Sequence, residues 1–87
     1  MAIVIKMPKL GATMKEGTLE VWRVKEGDFV NEGDVLCEIA TDKLTNEIET
    51  DEEGIVRKIL VEEDSTVPCQ TPLAIIAGAE EDISALI

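Results

Sequence analysis

Eighty-seven residues make one small domain with no room for a second core. Apolar residues at 45% and charged ones at 31% describe a chain that folds, and aromatics at 2% leave its core to Val, Ile, Leu and Ala. A net charge of −11 argues against nucleic-acid and anionic-membrane surfaces, no apolar run approaches the ~18 residues of a membrane span, and residues 1–8 do not read as a signal peptide.

In chain order, Ile3, Ile5 and Met7 alternate with Val4 and Lys6, the period of a half-buried strand. The loop Leu10-Gly11-Ala12-Thr13-Met14-Lys15 follows. Short strands then alternate with turns marked by Gly17, Gly27, Gly33, Gly54 and Gly78, with Asp28, Asn31 and Asp34 nearby. Trp22 and Phe29 are expected in or partly in the core. Cys37 sits in the apolar run 35–40, where it reads as a small buried residue, and Cys69 stands beside Pro68 in a turn. The two thiols could bridge; two unpaired thiols in a reduced compartment is the default reading. Pro8, Pro68 and Pro72 are expected outside central strands. No window carries a 3.6-residue apolar stripe, and residues 80–87, the best helix candidate, are too few to be stable alone.

An internal repeat organises these elements. Shifted by 37 positions, residues 16–40 fall on 53–77 with identities at Glu16/Glu53, Gly17/Gly54, Val24/Val61, Glu26/Glu63, Val30/Val67, Leu36/Leu73, Ile39/Ile76 and Ala40/Ala77. Chance would give about two such matches. Halves this short must pack on each other, so the expectation is all-β with pseudo-twofold symmetry, two antiparallel sheets and roughly one sheet per half.

The reactive groups narrow the function. There is no His and no Tyr, so two cysteines cannot complete a usual zinc site, no metal is expected, and neither Ser65 nor Ser84 has an imidazole to activate it. This argues against a self-contained enzyme and for a chain that carries, binds or positions something. Residues 1–44 hold 6 basic and 8 acidic side chains, and residues 45–87 hold 2 and 11. That acidity reads as a solvated face, or as a surface offered to a partner with basic clefts.

The stretch Ile39–Ile48 has strand formers on both sides of Asp42-Lys43, which predicts a hairpin with Lys43 at its tip. Taken alone, such a lysine is a solvated charge that blunts aggregation. It falls, however, where one repeat hands over to the other.

The chain here resembles the lipoyl domain of the acyltransferase (E2) component of 2-oxo-acid dehydrogenase complexes. The resemblance runs from about Ile3 to Ala77. It rests on Met7-Pro8-Lys9-Leu10-Gly11 with Thr13-Met14, Glu16-Gly17-Thr18, Trp22, Val24-Lys25-Glu26-Gly27-Asp28, Gly33-Asp34-Val35-Leu36, Thr41-Asp42-Lys43 and Pro72-Leu73-Ala74 with Ile76. It implies a flattened β-barrel of two four-stranded antiparallel sheets over residues 1–79, with 80–87 a tail or the start of a linker. It also implies a non-catalytic carrier with lipoate amide-linked to Lys43. Its partners would be a thiamine-diphosphate decarboxylase (E1), the acyltransferase's own catalytic domain, a flavin dehydrogenase (E3) and a lipoate-attaching enzyme. The isolated domain would be a monomer, placed in a bacterial cytoplasm or a mitochondrial matrix. Recognition by the attaching enzyme or the decarboxylase would use Thr41, Asp42, Leu44, Gly11, Ala12, Thr13 and Met14. The opening residues and Trp22 resemble pyruvate and acetoin dehydrogenase members more than 2-oxoglutarate ones.

Three departures stand out. Ala40 replaces a common Glu tied to lipoate attachment, Thr50-Asp51-Glu52-Glu53 replaces a Pro-rich segment, and Asp64 and Gln70 stand where the second half commonly has glycine. If those glycines serve a positive φ, Asp tolerates it better than Gln. The competing readings are a biotinyl carrier, whose acceptor lysine is flanked by methionines rather than Asp42 and Leu44, and an unmodified hybrid-motif adaptor domain.

Overall fold

The structure is a computed structural model that describes residues 2–9, 11, 14–41 and 44–84. Eight strands follow one another: β1 (Ile3–Lys6), β2 (Glu16–Trp22), β3 (Phe29–Val30), β4 (Val35–Ala40), β5 (Thr45–Glu49), β6 (Gly54–Ile59), β7 (Ser65–Pro68) and β8 (Pro72–Ala77). They form two four-stranded antiparallel sheets, ordered β1-β8-β6-β3 and β5-β4-β2-β7. The all-β expectation holds, but the sheets do not divide between the halves. Each sheet takes two strands from either repeat, because a strand pair from one copy must be completed by the other to bury both inner faces.

The repeat is legible pair by pair. Thr18↔Ala40, Leu19↔Ile39 and Trp22↔Cys37 recur 37 positions later as Ile55↔Ala77, Val56↔Ile76 and Ile59↔Ala74. Bulges recur too, between Leu19 and Val21 and between Val56 and Lys58. A second bulge pair leaves Leu36 and Leu73 outside the register of their neighbouring strands, which turns consecutive residues inward. That is why Leu36, Cys37 and Ile39, and likewise Leu73, Ala74 and Ile76, are all buried. Met7, Leu19, Val30 and Val56 complete the centre, with Trp22 and Val67 packed at its edge.

The repeat identities have physical causes. The Glu63 carboxylate accepts the Trp22 backbone N–H at 2.8 Å, and Glu26 accepts the Ile59 N–H at 2.8 Å, so each copy closes the bulged strand of the other. Cγ2 of Ile39 lies 3.1 Å from where a Gly17 Cβ would stand, and Cγ2 of Ile76 lies 2.9 Å from that of Gly54. Gly27 and Gly33 have φ of +96° and +90°, and their counterparts Asp64 and Gln70 have 66° and 74°. The suspected positive φ at Asp64 and Gln70 is therefore real.

Two side-chain expectations change. Phe29 is 59% exposed, because Val30 beside it takes the inward position on the two-residue strand β3. Pro72 opens the central strand β8, a first position where a missing N–H is tolerated, whereas Pro68 closes the edge strand β7 and so stays outside the central strands as expected. Trp22 is partly buried as expected, its indole N–H donating to the Val61 carbonyl at 2.8 Å.

After β8 the chain turns back across the outer face of its own sheet. Ile83 is buried against Ile75 and Ala77, with Ala2 and Val4 alongside. Arg57 donates to the carbonyls of Gly78 (2.5 Å) and Glu81 (2.7 Å). The Gly78 N–H donates to the Glu81 carboxylate and holds its pKa below the usual range.

Candidate functional site

β4 and β5 pair from Val35↔Glu49 to Ala40↔Thr45, so the chain reverses directly beyond Ala40. The reversal is clamped at its base. The Thr41 N–H donates to the Leu44 carbonyl at 2.8 Å, the Thr41 hydroxyl donates to the same oxygen at 3.2 Å, and the Leu44 N–H donates back to Thr41 Oγ1 at 3.2 Å. A threonine three residues before its partner offers the backbone a local alternative to the ladder, which is what a tight turn needs. Asp42 and Lys43, expected at the tip, lie outside the described residues. Leu44 is 47% exposed.

The loop between β1 and β2 comes to the same end. Met14 packs on the core edge with its Cε over Gly17, whose neighbour Thr18 pairs with Ala40 at the end of β4. The Gly11 carbonyl accepts the Met14 N–H at 3.1 Å, and Gly11 itself is exposed with open space around it. Ala12 and Thr13 lie outside the described residues. Of the expected recognition residues, Thr41, Leu44, Gly11 and Met14 are thus brought to one end of the sandwich.

This loop is where the repeat is broken. β1 pairs with β8 as β5 pairs with β4, but at a shift of 43 positions rather than the 37 of the other strands. The connection from β1 to β2 therefore carries six residues more than its counterpart from β5 to β6. Insertions of this kind are borne on loops because they cost little closure entropy. At the opposite end of β4 and β5, the short counterpart and the β3–β4 turn line an open groove with Asn31, Glu32, Glu52 and Glu53.

Neither thiol is arranged as a nucleophile. Cys37 is fully buried, and burial pushes its pKa up from 9.0 to about 12, so its reactive thiolate is suppressed. Cys69, half-buried at the end that holds Met14, lies 3.7 Å from the Pro8 carbonyl and 3.6 Å from that of Met14. Both cysteines are free. Among the described residues no cluster of His, Cys, Asp or Glu could hold a metal ion.

Sequence reasoning passed over one feature of this end, a cross-strand row on the outer face of the β5-β4-β2-β7 sheet. The register places Thr45, Ala40, Thr18 and Thr66 side by side, with Thr18 and Thr66 hydroxyls 2.8 Å apart. The alternation of Glu16, Thr18 and Glu20 with Gly17 and Leu19 carried the signal, since it marks an outward polar face.

Comparison with known proteins fits this architecture. Residues 3–76 match the family described as "Biotin-requiring enzyme". The chain is 52% identical over 85 residues to the dihydrolipoyllysine-residue acetyltransferase component of the pyruvate dehydrogenase complex of Zymomonas mobilis, covering 97% of this chain and 19% of that protein. It is 49% identical over 82 residues to the mitochondrial counterpart of Caenorhabditis elegans, covering 93% of this chain and 16% of that one. The chain thus spans about a fifth or less of the length of these relatives. The solution structure of the lipoyl domain of the 2-oxoglutarate dehydrogenase complex from Azotobacter vinelandii superposes with a TM-score of 0.73 at 28% identity, covering 88% of this chain and 99% of that one. With a doubled β-sandwich of this topology, a family match across nearly its whole length and relatives at about half identity, the chain belongs to the biotinyl/lipoyl attachment family, within which it is a lipoyl domain of the acyltransferase type.

Proposed function

We propose that the chain is a non-catalytic carrier in which Lys43 is amide-linked to lipoate and presented in turn to a decarboxylase, an acyltransferase active site and a flavin dehydrogenase. The relatives are components of pyruvate dehydrogenase complexes, which supports such a complex as the setting for these partners. Those relatives come from a bacterium and from mitochondria, so the cytoplasm or the mitochondrial matrix is the proposed setting. The observation that carries the reading is the clamp between Thr41 and Leu44, the residues that flank Asp42-Lys43 in the sequence, which closes β4 onto β5. A covalent arm needs an anchor on a stiff element rather than in a pocket, so that its far end can enter several active sites.

When attached, lipoate supplies the dithiolane that accepts electrons and acyl groups. The chain's own residues do the rest. The β4–β5 ladder and the Thr41 hydroxyl fix the turn. Leu44, Gly11 and Met14, with Thr41, Asp42, Ala12 and Thr13, offer the surface that the attaching enzyme and decarboxylase read. Burial keeps Cys37 out of thiol exchange. The Asp42 and Leu44 neighbours favour lipoate over biotin.

The test is intact mass with peptide mapping, on protein produced with lipoate and a lipoate-attaching enzyme. A lipoyl increment on Lys43, absent in a folded Lys43→Ala variant, is the expected result. A biotinyl increment, or no adduct on folded protein even after Ala40→Glu, would sink the proposal.

A further inference from the structure

The pseudo-twofold axis allows the two outer faces of the sandwich to be compared position by position. On the β1-β8-β6-β3 sheet the outer face has an apolar centre on β8, with exposed Lys58 of β6 paired beside it to Ile75. Ile75 and Ala77 lie beneath Ile83, and Arg57 fastens the covering segment. The chain covers this apolar centre with its own residues. At the equivalent positions of the β5-β4-β2-β7 sheet stand Glu38 and Ala40, and no described segment crosses them.

That bare face is built for a flat partner. Next to the Thr41–Leu44 clamp it presents the row Thr45, Ala40, Thr18 and Thr66, all short side chains, so an opposing surface can approach the backbone closely. The next row brings Glu47 directly opposite Glu38. Like charges facing each other across a strand pair work against the sheet that holds them. Arg23 binds the Glu38 carboxylate and offsets part of this, leaving Glu47 and Glu16 exposed beside the row.

We infer that the outer face of the β5-β4-β2-β7 sheet is the docking surface for the decarboxylase, taken up by a flat patch bearing Arg or Lys against Glu47 and Glu16. The inference rests on the carrier reading above. It extends recognition from the turn and the β1–β2 loop to the sheet beside them. The face is continuous with the end holding Thr41 and Leu44, so a partner seated there also meets the clamp that closes β4 onto β5. Charge complementarity sets the occupant's chemistry, because rim charges of this kind act on encounter and orientation.

The test compares lipoylated wild type, Glu47→Lys, Glu16→Lys and Glu52→Lys as substrates of a thiamine-diphosphate decarboxylase acting on pyruvate. Lipoylation is counted by mass and folding checked by thermal melting before the assay. Glu52→Lys makes the same charge change at the opposite end, in the groove with Asn31 and Glu32. Per lipoylated domain, Glu47→Lys and Glu16→Lys should each lose about tenfold in kcat/KM at low salt, chiefly through KM, with a shallower salt dependence than wild type, while Glu52→Lys stays within about twofold. Wild-type rates for both variants overturn the inference and leave the carrier reading standing. An equal loss in Glu52→Lys assigns the effect to net charge and overturns it as well. Failure of wild type to be lipoylated or acylated overturns the carrier reading and this inference together.

Discussion

Gln70 carries the clearest cost at the level of a single residue. It holds a φ of 74° in the turn between β7 and β8, where the first repeat has Gly33 at +90°. The position is fixed by the turn, since the Gln70 N–H donates to the Met7 carbonyl at 2.8 Å just as the Gly33 N–H donates to that of Thr50. A left-handed conformation costs an ordinary L-residue about 1–2 kcal/mol, and glycine's extra freedom in the unfolded chain gives back about 0.5–1 kcal/mol. The first effect wins, so Gln70→Gly should stabilise the domain by about 0.5–1 kcal/mol, read as a higher urea midpoint at unchanged slope. Asp64→Gly, at a φ of 66°, should change stability less, because Asp is one of the few residues that visits this region readily. Loss of stability in Gln70→Gly would show that the side chain contributes something its backbone does not reveal.

At the level of elements, Gly17 and Gly54 stand at equivalent places near the start of β2 and β6, and the two positions differ in what surrounds them. A Cβ at Gly17 would stand 2.9 Å from Met14 Cε and from Met7 Sδ, both on flexible side chains, with Ile39 Cγ2 slightly farther at 3.1 Å. A Cβ at Gly54 would stand 2.9 Å from Ile76 Cγ2 and 3.3 Å from the Ala77 carbonyl oxygen, a branched core residue and backbone of a central strand. Overpacking costs about 1–3 kcal/mol depending on what can move, so Gly54→Ala should approach the upper end and Gly17→Ala the lower. Urea titration of both variants checks the order; equal losses would mean that the Ile76 side of the core yields as easily as the methionines. The two glycines also mark how far the elements could be read from sequence. The 37-residue repeat carried the strand pairs, the paired glycines and the Glu26/Glu63 identities, because each satisfies the same geometric demand twice. The sheet assignment was not legible, since the period of two gives a strand's faces and not its neighbours. Phe29 misled for a related reason: hydrophobicity alone points inward, and only the pairing with Ile55 beside buried Val30 turns it out. The reversal between β4 and β5 was legible from its flanking strand formers, whereas the six-residue insertion in the β1–β2 connection emerged only once β1 and β5 could be superposed through their partners.

For the whole molecule, the balance of charge decides how stability responds to salt. The chain carries −11, and its acidic residues are spread so that Glu38 faces Glu47 and the groove at the far end gathers Glu32, Glu52 and Glu53. Against this stands the Arg23–Glu38 pair, with side-chain exposures of 54% and 21%. An exposed pair contributes about 0–1 kcal/mol and weakens as salt is added. Self-repulsion of a compact, strongly acidic domain acts in the other direction and is screened by the same ions. The Debye length falls from about 30 Å at about 0.01 M salt to about 3 Å at about 1 M, so repulsion across the domain disappears over that range while the contact pair is only weakened. Repulsion involves many carboxylates and the pair only one, so sodium chloride should raise the urea midpoint, by a stability gain of about 1 kcal/mol. Glu47→Lys should already show part of this gain at low salt and respond less to added salt, because it removes a charge that faces Glu38. A midpoint that falls with salt would mean that the ion pair outweighs the repulsion. The carboxylates on the bare sheet face cost the isolated domain stability, and a basic partner surface seated on that face would remove the cost.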